Sequence, residues 1–368
     1  MPPLQPCAFI VSLLVFALSW AMLLPAGVDA VGGNPDWMVF LVSAGVGGAL
    51  SGMGALASRG RELELGIRQA FVVTSASWIA MSAVAALPLY FSGLDLSYTD
   101  AFFESMSGLT TTGSTVLVGL DGMAPGILLW RSVLQWIGGV GIIVMGMAIL
   151  PFLRVGGMQL FRTESSDRSD KILPRPGQIA GAIGAVYLGL SVLCAVLYAT
   201  TGMTTFEAVN HAMTTLATGG YSTLDGSLGH WGAPVQWVST VFMLAGGIPF
   251  VLYVRALQGR PGALYGDSQV RTLIAVVATA IAAIAIWLVT TRQAVPFDAL
   301  RLAAFNVASI VTTTGYATAD YGLWGGFSVV AFFCLTFVGG CTGSTSGGIK
   351  MFRFEILLRI VGRTIARL

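Results

Sequence analysis

The stretch SGLTTTGSTV, residues 107–116, decides how this chain is read. Its ten positions hold four threonines, two serines and two glycines, yet the sequence around it is strongly apolar. So many hydroxyl and backbone oxygens do not suit a lipid-facing helix. At membrane depth they are tolerated only where they face protein or water. The chain has 368 residues, 55% hydrophobic and 10% charged, with a mean hydropathy of +0.81. Soluble domains carry about 25% charged residues, so the composition specifies a polytopic membrane protein.

Apolar runs near 20 residues mark membrane helices. They fall at about 7–26, 37–57, 67–92, 126–153, 178–202, 234–257, 271–292 and 324–365, the last interrupted by GGCTGSTSGG at 339–348. Semi-polar segments at about 99–118, 204–223 and 299–318 are too short and too rich in hydroxyls to span, and read as re-entrant loops. No Lys or Arg precedes the first apolar run, which argues for a retained helix over a signal peptide. With a cytoplasmic N-terminus, sixteen of the nineteen basic residues lie on the cytoplasmic side, all but Arg131, Arg292 and Arg301. Ten of the seventeen acids fall on the outer side, where they concentrate cations. Cys7, Cys194, Cys334 and Cys341 show no CxxC spacing and read as buried free thiols. The two histidines, His211 and His230, form no intramembrane catalytic cluster, so the chain does not read as an enzyme.

The opening stretch recurs. DAFFESMSGLTTTG ending at Gly113, EAVNHAMTTLATGG ending at Gly220 and LAAFNVASIVTTTG ending at Gly315 align without gaps. Thr111, Thr218 and Thr313 coincide two residues before the aligned glycine, and Glu104, His211 and Asn306 coincide nine before it. A glycine pair follows each time at nearly constant distance: Gly138-Gly139, Gly246-Gly247 and Gly339-Gly340. The unit is helix, half-helix, Thr/Gly turn, helix, repeated three times. A half-helix entering from outside points its partially negative C-terminus at the membrane centre, which favours a cation. In the turn that follows, carbonyls can replace an ion's hydration shell. The glycines permit positive φ, so neighbouring carbonyls can aim at one axis. The ion-binding candidates are therefore Thr111, Thr112 and Gly113, then Thr218, Gly219 and Gly220, then Thr313, Thr314 and Gly315. Glu104 and His211 are expected to pack or hydrogen-bond behind these turns.

With TTLATGGYST at 214–223, VTTTGYATADYG at 311–322 and FVGGCTGSTSGGIKMFR at 337–353, the sequence resembles the Trk/Ktr/HKT superfamily of potassium transporters, and within it the bacterial Trk membrane subunits. The resemblance implies an all-α polytopic membrane protein with repeated helix–pore-helix–filter–helix units around a central pore. Two extra helices, 1–62, precede units at 63–155, 176–258 and 268–368. It implies potassium uptake across the bacterial inner membrane, driven by membrane potential, by a channel-like or ion-coupled route, with K⁺ as cargo and no cofactor in this chain. Gly113, where sodium-carrying relatives often have Ser, leans toward potassium. The alternatives are a sodium-permeable or sodium-coupled transporter, or a truncated, non-conducting assembly subunit. Implied partners are a nucleotide-binding cytoplasmic RCK regulatory subunit, a second copy in a homodimer and membrane lipid, with no nucleic acid. The family has four repeats, the last carrying an Arg beneath the filter. The sequence read here stops at Leu368 after the third, so a fragment is expected.

The loop at 339–348 is too rich in glycine and hydroxyls to stay helical. Gly339, Gly340, Cys341, Thr342, Gly343, Ser344, Thr345, Ser346, Gly347 and Gly348 thus form one specialised segment. It is either a kink for close packing or, as the resemblance implies, an intramembrane gate. GSTSGGIK lacks the ending of a phosphate-binding loop. Lys350 either faces the pore or snorkels to the cytoplasmic surface. Arg359, Arg363 and Arg367 form a stripe that either flanks the membrane or docks the regulatory ring.

Overall fold

Long apolar helices joined by half-length ones make up the architecture of this computed structural model, which describes residues 5–60, 66–149 and 176–365. In chain order the helices are α1 (Gln5–Ala21), α2 (Leu23–Gly32), α3 (Trp37–Ala57), α4 (Ile67–Phe91), α5 (Tyr98–Leu109), α6 (Pro125–Ile149), α7 (Pro176–Thr201) and α8 (Thr205–Leu216). They continue as α9 (Ala233–Gly246), α10 (Phe250–Leu257), α11 (Gly262–Gly266), α12 (Ser268–Thr290), α13 (Pro296–Val311), α14 (Gly326–Leu335) and α15 (Met351–Ile365). Six spans among the described residues are long and apolar enough to cross a membrane, one of them Gln5–Gly32, made of α1 and α2 together. The protein is an all-α polytopic membrane protein. Many large apolar side chains point outward, Leu56, Ile79, Val241 and Val330 among them, as lipid-facing helices require. Cys7, Cys194 and Cys341 are buried free thiols, but Cys334 is exposed. It shares the outward apolar face of α14 with Val330 and Phe333, where a thiol needs no burial in protein. Arg61, Arg154, Arg162, Arg168, Lys171, Arg175 and Arg367 lie outside the described residues.

The chain divides into two units, Met1–Gly138 and Gly139–Leu368. In the first, α1 packs on α3 and α4, and α4 on α5. Small residues bring these helices close: a Cβ on Gly47 would strike Ser19 and Val84, and one on Gly54 would strike Ser12. In the second, α7 packs on α8, and α12 on α13. Leu273, Val277, Ile284 and Leu288 of α12 bury with Ala303, Val307 and Val311 of α13.

The helices that lead into the three Thr/Gly turns are short: α5 and α8 have 12 residues and α13 has 16. At about 1.5 Å per residue they are about 18 to 24 Å long, too short to span a hydrocarbon core of about 30 Å. Their starts are written in the sequence. Ser97 accepts from Asp100 N at the head of α5, Thr204 and Glu207 form a capping box on α8, and Pro296 opens α13.

The long helix after each half-helix differs. In the first repeat α6 runs unbroken through Gly138-Gly139-Val140-Gly141. In the second, the expected single helix over 234–257 is two helices bent by 94° at Gly247-Ile248-Pro249, because Pro249 has no N–H and cannot continue the ladder. In the third the helix opens into the loop between α14 and α15.

A distant residue caps α6. Gly126 N donates to Asp29 Oδ1 at 2.7 Å, placing a carboxylate at the helix's N-terminus. A Cβ on Gly126 would overlap that carboxylate. Asp29→Ala is expected to cost about 1 kcal/mol, read as a lower unfolding temperature in detergent. Gly126→Ala should lower it further, since it inserts an atom where the cap sits.

Candidate ion-conduction site

All three half-helices end in one geometry. Thr111 N donates to Gly108 O (3.0 Å) and Thr112 N to Ser107 O (2.9 Å). Thr218 N donates to Thr215 O and Gly219 N to Thr214 O, while Thr313 N donates to Ile310 O and Thr314 N to Ser309 O, all within 2.8–3.0 Å. These are the paired bonds of a Schellman helix end, whose pivotal residue must be left-handed. That residue is Thr111, Thr218 and Thr313, with φ of 55°, 50° and 57°. Gly113, Gly220 and Gly315 then take φ of 82°, 78° and 86°. The sequence flagged the glycines. It gave no sign that a β-branched residue would hold the left-handed position, which costs roughly 1–2 kcal/mol each.

Packing accounts for the threonines. In α6 and α9 the first glycine of each pair abuts the end of the half-helix. A Cβ on Gly138 would strike Leu109 O and the Thr111 methyl, and one on Gly246 would meet Leu216 O and the Thr218 methyl. In the third repeat Thr313 Oγ1 accepts instead from Gly347 N at 2.7 Å. Other hydroxyls brace the turns from within. Thr110 Oγ1 lies 2.7 Å from Thr112 Oγ1, and Thr312 Oγ1 lies 2.7 Å from Thr314 Oγ1. Ser107 donates to Ser114 O and Ser309 to Tyr316 O.

The limb leaving each glycine is held from behind by the residue nine positions before it. Glu104 accepts from Thr115 Oγ1 (3.0 Å) and Val116 N (3.0 Å), His211 Nε2 lies 3.0 Å from Ser222 Oγ, and Asn306 Nδ2 donates to Thr318 Oγ1 (2.9 Å). This is the packing and hydrogen bonding expected of Glu104 and His211. The sequence did not disclose that Glu104 is also paired with Arg131, whose Nε lies 2.8 Å away, both side chains being buried. The available signal was a lone arginine near the start of an apolar span.

Within the second unit two turns are neighbours. A Cβ on Gly220 would strike Thr314 O. The Tyr316 hydroxyl reaches Thr214 and Thr215, and Tyr198 OH bonds Thr215 and Ser239. The 339–348 loop joins them. Its ends meet where Gly339 N donates to Ile349 O and Ile349 N to Phe337 O. Thr345 Oγ1 donates to Leu216 O (2.9 Å) and Gly246 O (3.0 Å). Cys341 N donates to Gly247 O, and Phe250 N to Gly343 O. Gly340 N reaches Ser346 Oγ, Ser344 Oγ reaches Cys341 O, and Thr342 N reaches Gln269 Oε1. Gly347 and Gly348 are exposed, and Lys350 Nζ turns back onto Ser346 O. Arg359 and Arg363 lie on α15, with Arg359 3.9 Å from Glu355, which Ser268 and Thr272 also bond.

A family model described as "Cation transport protein" (TrkH) matches residues 46–367. The chain is 46% identical, over 97% of its length and 73% of the relative's, to the Trk system potassium uptake protein TrkI of Halomonas elongata. It is 37% identical to the Trk system potassium uptake protein TrkH of Escherichia coli, over 98% of this chain and 76% of that one. The crystal structure of the potassium transporter TrkH from Vibrio parahaemolyticus superposes with a TM-score of 0.92 at 34% identity, covering all of this chain and 76% of that one.

The glycine contacts separate two substitutions. Gly315 and Gly220 share a positive φ, but no atom lies within 4 Å of a Cβ on Gly315, whereas one on Gly220 overlaps Thr314 O. Gly315→Ala should lose only the backbone term of about 1–2 kcal/mol. Gly220→Ala should give markedly less folded protein on gel filtration in detergent.

Proposed function

Since this chain belongs to the TrkH family of cation transport proteins, we propose that it carries potassium across the cell membrane through a filter built of backbone carbonyls. The observation that carries this reading is the threefold turn, in which a half-helix ends in a left-handed threonine and the chain turns again at a glycine with φ near 80°. Helix C-termini favour a cation, and carbonyls favour a monovalent one that must also leave. The oxygens offered to the ion belong to Thr111, Thr112 and Gly113, to Thr218, Gly219 and Gly220, and to Thr313, Thr314 and Gly315. The units 63–155, 176–258 and 268–368 are the repeats that present them. None of these nine residues is ionisable, so the ion meets dipoles and no fixed charge. A membrane potential of about 150 mV supplies roughly 3.5 kcal/mol per monovalent cation, enough for uptake without a bound nucleotide.

The loop from Gly339 to Gly348 is read as the gate, because it is tied to the ends of two half-helices and to the break between α9 and α10. Lys350 steadies it. The distribution of basic residues supports a cytoplasmic N-terminus. The relatives' names describe a Trk system, and this chain is read as the membrane subunit of such a system. A cytoplasmic nucleotide-binding RCK subunit and a second copy of the chain are the partners proposed for it, with the Arg359 and Arg363 face as one contact.

Expression in cells lacking their own potassium uptake should restore growth on low potassium and drive rubidium uptake; failure of both rejects the reading. Gly113→Ser should lower the ratio of rubidium to sodium uptake, and an unchanged ratio removes Gly113 from the filter. Thr345→Val loses the hydroxyl that holds the loop to Leu216 and Gly246. It should raise rubidium flux severalfold at unchanged selectivity, and a flux at or below the parent's level would contradict the gate.

A further inference from the structure

The first repeat holds a charged pair where the other two repeats do not. Glu104 is fully buried and Arg131 is 1% exposed. The Glu104 carboxylate accepts from Arg131 Nε (2.8 Å), Thr115 Oγ1 (3.0 Å) and Val116 N (3.0 Å). Arg131 also donates through Nη2 to Thr115 Oγ1 (3.2 Å), and Leu117 N donates to the same oxygen (3.1 Å). Residues 115–117, the limb directly after Gly113, are thus held from both ends of one ion pair. At the position of Glu104 the other repeats place His211 and Asn306. Seven residues before the glycine pair, where the first repeat has Arg131, they place Ser239 and Phe332.

Those counterparts bond their own limbs at Ser222 and Thr318 without a charged pair, so an ion pair is not needed merely to fold such a hairpin. Buried ion pairs also seldom add stability over well-packed apolar residues. What the pair supplies is stiffness. Charge-assisted hydrogen bonds are about twice as strong as neutral ones, and the guanidinium fork fixes their direction. A limb held this way resists drawing inward, and a carbonyl site that cannot shrink is a poorer host for the smaller sodium ion.

We propose that Glu104 and Arg131 are positioning residues of the filter: they hold the limb at 115–117 rigid and so set how strongly potassium is preferred to sodium. This inference rests on the reading of Thr111–Gly113 as filter residues. Neither side chain touches the ion. Both act through Thr115 and Val116.

The test expresses the complete gene that encodes this chain in cells without their own potassium uptake, and measures rubidium and sodium uptake beside the amount of folded protein. Glu104→Gln alone removes the carboxylate charge beside the buried Arg131 guanidinium and should chiefly reduce folded protein. The informative variants are the double Glu104→Gln/Arg131→Met, which removes both charges together, and Thr115→Val, which removes the linking hydroxyl and leaves the pair intact. Both should fold. The rubidium-to-sodium ratio should drop on the order of tenfold in the double variant and severalfold in Thr115→Val, for a site whose selectivity depends on fixed carbonyls. A parental ratio in either folded variant overturns the proposal and leaves the pair a structural one. If the double variant does not fold, Thr115→Val decides alone. A parent protein that takes up no rubidium defeats the transport reading itself, an outcome distinct from unchanged ratios in the variants.

Discussion

An amide or carbonyl freed in the middle of a membrane must find a partner within the protein, because the hydrocarbon offers none. Most of the structure's unusual features answer that demand. Three half-helices stop short, and each would leave its last carbonyls unpaired. The Schellman bonds at Thr111–Thr112, Thr218–Gly219 and Thr313–Thr314 satisfy some of them within the turn itself. The bend after α9 frees more carbonyls, and the third repeat's loop supplies their donors: Thr345 to Gly246 and Cys341 to Gly247. The loop is therefore the complement of a neighbouring helix's break, and the two irregularities account for each other.

The left-handed threonines show how strain is accommodated at such a place. Glycine would adopt that conformation without cost, but it would offer neither methyl nor hydroxyl. Thr111 and Thr218 set a methyl against Gly138 and Gly246, so the compact side chain and the missing Cβ are two halves of one contact. Thr313 offers its hydroxyl to the amide of Gly347. The backbone penalty of roughly 1–2 kcal/mol per residue is offset by close packing between half-helix and long helix. A filter requires that packing if its carbonyls are to stay in place.

Much of this was legible in the sequence, for a physical reason. Repetition at fixed register marks residues whose backbone conformation matters. Gly113, Gly220 and Gly315 stood out because only glycine takes a positive φ freely, and the glycine pairs stood out because close approach excludes a Cβ. The loop at 339–348 could be read from its composition, since no such run stays helical. Less was visible where a residue acts against its type or through a distant partner. Threonine disfavours the left-handed region, so three of them there could not be anticipated. Pro249 did carry the signal for the 94° bend, but the apolar run around it masked the break. The partnership of Glu104 with Arg131 spans 27 residues and depends on how α5 meets α6, which hydropathy does not specify.

That pair also bears on the kind of ion such a site can serve. A carboxylate facing a permeating cation would bind it strongly and slow its release, whereas carbonyl dipoles bind weakly enough to let it leave. Glu104 is the one carboxylate in the first half-helix that is buried, and its oxygens bond Arg131, Thr115 and Val116. Its charge is paired with that of Arg131. In the other two hairpins the same position carries His211 and Asn306, whose contacts to Ser222 and Thr318 follow the same direction. The charged side chain is thus engaged by the limb it braces, which leaves the proposed filter free of a fixed charge from this position.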